Sequence, residues 1–448
     1  MQALGNRAVL AIGRSVVRPH CNGASRGLAT VAPATTTSRN HKIVVVGSGS
    51  AGIAVSHQLL NRGRFAKDDI AIVDPATWHD YQPGWTLVGG GLKSKSDLRR
   101  PIHGLIEPRL KFYNKRVLSI SPEENYLSLG DGDRIDYEQL VLAPGITIDY
   151  NSVKGLPEAI ADPDSMVASI YSFDHCDKVY QNIQRMKKGT AIFTQPAGVV
   201  KCAGAPQKIM WLALDYWRQA HLYNVGPSQS AIDVTFATGL PTMFGVPKYS
   251  HELNRLREKR GVEGLFGHNL VSIDGNTATF DHAGKQIQRH FDFLHASPRN
   301  VPHAFIKESG LGNEAGFVDV NQHTLRHTTY NNVWALGDAA ALPTSKTMAA
   351  VTSQAPVLTQ NLMLALEGKK PAMEYDGYTS CPLLTGEKKV ILAEFKYGNE
   401  PKETFNKWLG IDQGVPRRAF YHLKKDFFPW VYRLHVKGHW GGPKGYIR

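Results

Sequence analysis

The chain has 448 residues, of which 42% are hydrophobic and 20% charged, and this composition excludes a fibrous or wholly disordered protein. A chain of this length is too long for one hydrophobic core, so we expect two or three domains. The formal net charge of +13 is high for a folded protein of this kind.

The N-terminal leader contributes part of this charge. It is rich in Arg, Ser, Thr and Ala, and no acidic residue occurs before Asp68. Its basic residues are Arg7, Arg14, Arg18, Arg26 and Arg39. This pattern predicts a mitochondrial transit peptide over residues 1–39, with a plausible cleavage region at residues 26–29. The alternative is a disordered basic arm.

A glycine-rich turn follows the leader. Ile43 to Val46 form a β-branched apolar run that predicts a buried strand, and residues 51–60 predict a helix. Between them, Gly47, Gly49 and Gly52 have the G-x-G-x-x-G spacing. The first glycine permits the tight turn, the second lets the backbone approach a pyrophosphate, and the third lets helix and strand pack closely. The helix N-terminus then favours the phosphate charge.

A second predicted strand, Ile70 to Val73, ends at Asp74, about where an acidic residue binds the ribose of an adenine dinucleotide. Residues 78–91 form a loop of aromatics, proline and glycine. This loop lies either beside an isoalloxazine ring or on the surface, anchored by Trp78 and Trp85. Together with the glycine turn, Asp74 predicts a dinucleotide-binding unit.

The fold is repeated farther along, but the glycine spacing is not. A helix at 172–186 and strands at 190–194 and 232–237 predict a second unit of the same kind. After the first of these strands, residues 195–206 lack G-x-G-x-x-G, and the second ends without an acidic residue. We therefore do not expect NAD(P)H as the electron donor. A strand ending at Gly337 and Asp338, followed by a helix over 347–366, returns to the first unit.

Two of the four cysteines have distinctive surroundings. Cys202 lies near Pro206, which is typical of the first turn of a helix, and Lys201 and Lys208 are close to it. A thiol in that position has a lowered pKa and can act as a nucleophile or redox group, although a lone cysteine is more often a small buried residue. Cys381 lies in a turn-like stretch over 378–383. The sequence contains no C-x-x-C or Cys/His spacing, so we expect no metal site.

The C-terminal tail mixes aromatic and basic side chains. Over residues 416–448 the aromatics include Phe420, Tyr421, Phe427, Phe428, Trp430, Tyr432 and Trp440, and the cations Arg417, Arg418, Lys424, Lys425, Arg433 and Lys437. This pattern favours a segment in the membrane interface, with rings at the acyl boundary and cations on headgroups. The alternatives are a helix packed on the core or a dimer contact. Nucleic acid is not expected, because no binding fold accompanies the tail.

Five further stretches are distinctive: residues 81–89, 200–208, 342–347, 375–383 and 438–443, reading YQPGWTLVG, VKCAGAPQK, LPTSKT, YDGYTSCPL and GHWGGP. Together they resemble mitochondrial sulfide:quinone oxidoreductases. The resemblance implies an α/β fold with two Rossmann-like domains. The FAD-binding domain would be discontinuous (40–160 and 305–375), the second domain would span 161–304, and residues 376–448 would carry a redox cysteine and a membrane-associating segment.

The resemblance also implies site residues. Gly47, Gly49, Ser50, Ala51 and Gly52 would bind the FAD pyrophosphate, Asp74 the ribose, and Gln82, Val117, Gly337, Asp338 and Lys346 the rest of the cofactor. Lys346 could also stabilise negative charge on the reduced flavin. FAD would be non-covalent, since no cysteine lies between Cys21 and Cys176. Cys202 and Cys381 would be the redox pair, with the persulfide on either one.

The implied reaction oxidises sulfide, passes electrons through FAD to ubiquinone, and transfers sulfane sulfur to an acceptor such as glutathione or sulfite. The enzyme would bind the inner mitochondrial membrane monotopically. Two alternatives remain at this point: a type II NADH:quinone oxidoreductase, and a catalytically silent flavoprotein that serves as a binding partner.

Overall fold

The computed structural model describes residues 38–224 and 230–447; residues 1–37, and with them almost all of the predicted transit peptide, lie outside the described residues. The strands are β1 Ser38–Val46, β2 Ile70–Val73, β3 Trp78–Asp80, β4 Arg99–Pro101, β5 Lys111–Tyr113, β6 Val117–Ser121, β7 Tyr126–Leu129, β8 Arg134–Leu142, β9 Thr147–Ile148, β10 Val167–Ala168, β11 Gly189–Gln195, β12 Ile232–Thr238, β13 Glu263–Phe266, β14 Asn269–Asp274, β15 Thr277–His282, β16 Lys285–His290, β17 Phe293–His295, β18 Asn300–Val301, β19 Val333–Ala335, β20 Thr379–Leu384, β21 Val390–Lys396 and β22 Glu400–Pro401. The α-helices are α1 Ser50–Arg62, α2 Trp85–Gly89, α3 Leu156–Ala161, α4 Cys176–Arg185, α5 Ala205–Gln219, α6 Pro247–Lys259, α7 Ala304–Glu308, α8 Met348–Leu366, α9 Thr404–Leu409, α10 Arg418–His422 and α11 Phe428–Val436.

The first sheet contains seven strands, in the order β5-β2-β1-β8-β7-β6, with β19 also paired to β8. Strand β1 runs parallel to β2 and β8, and its Val46 pairs with Val73 on one side and Leu142 on the other. Ile43 to Val45 are completely buried, which explains their β-branched character. The carboxyl ends of β1, β2, β8 and β19 therefore meet at one edge of the sheet, where ligands bind in folds of this type.

The second sheet contains five strands in the order β10-β17-β11-β12-β13, and each of its pairings is parallel. The predicted strands at 190–194 and 232–237 are confirmed as β11 and β12. After β11 the chain turns into α5, a 15-residue helix whose inner face is buried in the core of this unit.

The C-terminal part of the chain forms a small antiparallel sheet, β20-β21-β22, followed by a group of helices. Cys381 lies within β20 and pairs with Ala393, so the prediction of a turn at 378–383 was wrong. The adjacent Pro382 suggested a turn, but β20 pairs only with β21 and is an edge strand, where a proline is tolerated. Between α10 and α11, residues Leu423–Phe427 form a π-helical segment.

Within the described ranges, no helix combines the length and the apolar character needed to cross a bilayer.

Candidate active site

The glycine turn after β1 has the geometry that a dinucleotide pyrophosphate requires. Gly47 has φ +102°, and a Cβ on it would lie 2.3 Å from the carbonyl oxygen of Ala143. A Cβ on Gly52 would lie 1.9 Å from the carbonyl oxygen of Gly47, whereas a Cβ on Gly49 would have no atom within 4 Å. Two of the glycines are thus required by packing, and the third leaves open space over the loop.

The start of α1 leaves its backbone donors available. Gly49 caps this 13-residue helix without a side-chain hydrogen bond, and no acidic residue occupies its first turn. Asp74 lies beside it, and its two carboxylate oxygens accept hydrogen bonds from the backbone N–H groups of Ser48 (2.6 Å) and Ala76 (2.8 Å). Each oxygen keeps a lone pair with which it can accept a ribose hydroxyl. These residues fit the adenine half of FAD.

The residues predicted for the flavin half gather at the same edge. Gly337 has φ +71°, and a Cβ on it would lie 3.3 Å from the Cβ of Ala51. Asp338 is half-buried, and its desolvation raises the pKa of its carboxyl, which Lys346 and Lys201 oppose. Lys346 Nζ donates to the backbone oxygens of Asp338 (2.7 Å) and Ala340 (3.0 Å).

Gln82 and Val117, the other two predicted cofactor contacts, have different settings. Gln82 begins the short helical turn before α2, and its Oε1 accepts a hydrogen bond from Lys201 Nζ at 2.9 Å. This lysine also lies 4.7 Å from the ring centroid of Trp85, and burial lowers its pKa to about 8. Val117 is buried at the start of β6. The cofactor roles of these residues stay predictions.

Cys202 lies between the two units in a conformation that is unusual for a residue with a side chain. It has φ +54°, in the left-handed region, which stores strain and is found most often at functional sites. Its backbone N–H donates to the carbonyl of Lys346 at 2.8 Å, and its own carbonyl accepts from Ala205 N at 2.7 Å, where α5 begins. Backbone hydrogen bonds therefore hold Cys202 to Lys346 on one side and to the N-terminus of α5 on the other.

Cys381 faces Cys202 and is completely buried. A hydrogen bond between the two sulfur atoms is the largest influence on both pKa values: it lowers that of Cys202 well below the ordinary value and raises that of Cys381 well above it. The structure contains both as free thiols. When reduced, the pair thus consists of a Cys202 thiolate and a Cys381 thiol that donates to it.

Two buried lysines supply positive charge to this pair. Lys208 is 1% exposed, and its Nζ lies 3.2 Å from Cys202 Sγ. Lys424 is 4% exposed and donates from Nζ to the carbonyl of Pro83 at 3.0 Å. Burial, followed by repulsion from Lys208, lowers the pKa of Lys424 to about 7, while the charges of Cys202 and Cys381 raise it.

The role of Lys424 was missed from the sequence, where it was one of several cations in the basic tail. The one local signal is its π-helical segment, since such segments are frequent at functional sites.

The assignment of the whole tail to a membrane interface also needs correction, because several of its rings pack inward. Tyr432 is 4% exposed, and its hydroxyl lies 2.6 Å from His79 Nε2 and 2.7 Å from Ser50 Oγ. Phe427 and Trp430 are the exposed aromatics of α11 and its approach.

Cys176 differs from Cys202 and Cys381 in its surroundings. It is completely buried at the start of α4, its sulfur contacts the carbonyl of Phe173, and burial raises its pKa to about 12. Its thiol is therefore unreactive at neutral pH.

Comparison with known proteins shows which family the chain resembles. Residues 41–200 match the family described as pyridine nucleotide-disulphide oxidoreductase. The mitochondrial sulfide:quinone oxidoreductase of Schizosaccharomyces pombe is 48% identical over 92% of this chain and 93% of its own length. The mouse protein of the same name is 39% identical over 92% and 90%. The crystal structure of the Aquifex aeolicus sulfide:quinone oxidoreductase has a TM-score of 0.73, with 17% identity, over 89% of this chain and 92% of that one.

Proposed function

The chain belongs to the mitochondrial sulfide:quinone oxidoreductase family, and we propose how its residues perform the reaction of that family. The enzyme oxidises sulfide and passes the electrons through a flavin to a quinone. The observation that carries the proposal is the thiol pair: Cys202 and Cys381 share a hydrogen bond beside Lys208, at the start of α5.

Bound FAD would supply the two-electron acceptor for the cysteine pair and the donor for the quinone. The glycine turn and the start of α1 would hold its pyrophosphate, and Asp74 its ribose. Gly337 and Asp338 would contact the flavin half, and we assign further cofactor contacts to Gln82, Val117, Ser50 and Ala51. Lys346 fixes the Gly337–Ala340 turn through its two backbone hydrogen bonds and contributes positive charge there. We expect FAD to bind without a cysteine linkage. Apart from the redox pair, the thiol among the described residues is Cys176, which is unreactive.

The reaction begins with the pair as a disulfide. Hydrosulfide attacks Sγ of Cys381, the S–S bond breaks, and its electron pair leaves with Cys202 as a thiolate, so Cys381 carries the persulfide. The direction follows from the surroundings of Cys202, which lies at the start of α5 and beside a buried lysine, so its thiolate is the better stabilised leaving group. Lys208, 3.2 Å away, stabilises the leaving thiolate.

A nucleophilic acceptor then attacks the outer sulfur of the persulfide; it is glutathione thiolate or sulfite, or, when only sulfide is present, a second hydrosulfide. This attack releases Cys381 with the electron pair of the broken bond. The two cysteine sulfurs, now both reduced, would form the disulfide again by releasing two electrons, which bound flavin would accept. Lys424, the second buried cation near the pair, stabilises the Cys202 thiolate by its charge.

The sulfide reaction is tested by anaerobic mixing of the oxidised holoenzyme with sulfide or with NADH, followed through the flavin absorbance. We expect sulfide to bleach the flavin and NADH to leave it oxidised, because the turn after β11 has no glycine fingerprint. Bleaching by NADH alone would identify a type II NADH:quinone oxidoreductase. Bleaching by neither would identify a silent flavoprotein.

We also propose that the enzyme binds the inner mitochondrial membrane through exposed apolar side chains of its C-terminal part. Trp408 and Leu409 on α9 are 64% and 66% exposed, and Trp430 on α11 is 56% exposed. Exposed Lys407 and Arg418 can contact anionic headgroups. The double substitution of Trp408 and Leu409 by serine should weaken co-sedimentation with cardiolipin-containing vesicles, whereas substitution of exposed Leu118 on β6 should not. Equal binding by both variants would place the contact elsewhere.

A further inference from the structure

Two buried hydroxyl groups near the cysteine pair have no hydrogen-bond partner other than each other within the part of the chain that the structure describes. They are Tyr171 Oη and Ser297 Oγ, in residues that are 3% and 2% exposed. They contact each other, and hydrogen bonding to the serine opposes the rise in the pKa of the tyrosine that burial causes. One hydrogen bond leaves one hydroxyl proton of the pair without an acceptor, and a buried donor without an acceptor is costly, so the pair indicates a binding position for a small polar ligand.

The topology explains why these groups are together. Tyr171 follows β10 and Ser297 follows β17, and these neighbouring parallel strands pair Ala168 with His295. Both residues therefore lie at the carboxyl edge of the second sheet, which is the ligand-binding edge in folds of this type. The sheet lacks a dinucleotide fingerprint, so this edge is free for another ligand.

The same edge lies next to the reacting sulfur atoms. Tyr171 belongs to the core that contains Cys381, and Cys202 packs against that core. Burial, and then the charge of Cys202, raise the pKa of Tyr171 well above 10, so its hydroxyl keeps its proton and acts as a donor at any working pH.

A further unpaired donor occurs at this strand end. His295 is completely buried, and its Nε2 accepts from the backbone N–H of Ile170 at 3.4 Å, which places the ring proton on Nδ1. Nδ1 has no partner among the described residues. Burial lowers the pKa of this histidine to about 3, so the ring is neutral. An edge of uncharged donors, with Lys208 and Lys424 on the cysteine pair, suits a small anion.

We propose that the Tyr171 and Ser297 hydroxyls bind hydrosulfide beside Cys381 before it attacks the disulfide. The inference rests on the proposed function, which needs an anion to reach a sulfur atom that is completely buried. Hydrosulfide that leaves water for this position loses its hydration, and the fixed hydroxyl pair replaces part of it by donating a hydrogen bond. Tyr171 and Ser297 are then substrate-binding residues that determine the sulfide concentration at which the enzyme works.

The test is anaerobic stopped-flow reduction of the flavin over a range of sulfide concentrations. Tyr171→Phe removes one oxygen atom and keeps the ring. We expect it to raise the half-saturating sulfide concentration by about tenfold or more, with the limiting rate within about threefold of the unaltered enzyme. Ser297→Ala should act in the same direction and disturbs the core less. Tyr137→Phe is the matched control, since Tyr137 on β8 is 4% exposed, has an unpaired hydroxyl, and lies in the first sheet.

A second measurement uses thiocyanate, an anion that does not reduce the disulfide. It should inhibit competitively with sulfide, and Tyr171→Phe should raise its inhibition constant by the same factor as the half-saturating sulfide concentration. Three results would each overturn the proposal: unchanged half-saturation in both Tyr171→Phe and Ser297→Ala, a lower limiting rate with unchanged half-saturation, or no inhibition by thiocyanate. In all three, sulfide would still bleach the unaltered enzyme. If it did not, the proposed function would fail first and this ligand with it.

Discussion

The carboxyl edge of the first sheet presents Gly47, Gly49 and Asp74, whereas the same edge of the second sheet leads to Gln195, Lys201 and Cys202. Both sheets are parallel at this edge, and in both the next element is a helix whose N-terminus favours negative charge. In the first sheet, the start of α1 lies beside the open space over Gly49. In the second sheet, the start of α5 lies beside the thiol of Cys202. One feature of the fold, the positive end of a helix, can thus stabilise a phosphate in one half and a thiolate in the other.

The largest effect on activity is expected when the thiol is removed. Cys202→Ser should slow the reduction of the flavin by sulfide by ~10³-fold or more, because the serine hydroxyl neither forms the disulfide nor leaves as a stable anion. FAD should still bind with its normal spectrum. Cys176→Ala is the control and should react at the normal rate. Normal turnover by Cys202→Ser would show that the chemistry does not pass through this residue.

A substitution in the glycine turn affects the first sheet instead. Gly52→Ala puts a Cβ 1.9 Å from the Gly47 carbonyl, so the turn must move, at a cost of about 1–3 kcal/mol of unfolding free energy. We expect weaker FAD binding, measured as flavin released on dialysis. Gly198→Ala, after β11, has left-handed φ +87° but no atom within 4 Å of the added Cβ, so it should retain its FAD. Equal loss from both variants would contradict a cofactor site confined to the first edge.

The smallest expected effect concerns the charge beside the thiol. Lys208→Met removes the ammonium 3.2 Å from Cys202 and should raise the pKa of that thiol, so the reduced variant should react with iodoacetamide about tenfold more slowly near pH 6. The difference should shrink as the pH rises and the thiol ionises in both proteins. Lys188→Met, at an exposed position, is the control. If the alkylation rate did not depend on Lys208, the lowered pKa of Cys202 would be caused by Cys381 and the helix N-terminus alone.

The first edge could be predicted from the sequence because its signals are local. A β-branched run, three spaced glycines and an acidic residue after the next strand define it within residues 43–74. The surroundings of the thiol pair could be predicted only in part. The motif around Cys202 is local, but Cys381 lies in an edge strand whose partner, β21, decides the conformation, and the neighbouring proline suggested a turn.

Lys424 shows a more general limit. A lysine in a basic and aromatic tail has the pattern of a membrane-facing cation, and no local property separates it from Lys425. Its burial arises because the tail folds back on Pro83 and the cysteine pair, which are distant in sequence. Tyr171 and Ser297 are similar, since only the pairing of β10 with β17 brings them to one edge.

Peptide mapping of the oxidised holoenzyme is the most direct test that Cys202 and Cys381 exchange electrons as a pair. Digestion without reductant, after all free thiols have been alkylated, should yield one peptide pair joined through sulfur at Cys202 and Cys381, with Cys176 alkylated only after unfolding. Brief anaerobic treatment with sulfide should open this link and leave the added sulfur on Cys381. Recovery of Cys202 and Cys381 as separate alkylated peptides from fully active oxidised enzyme would contradict the account.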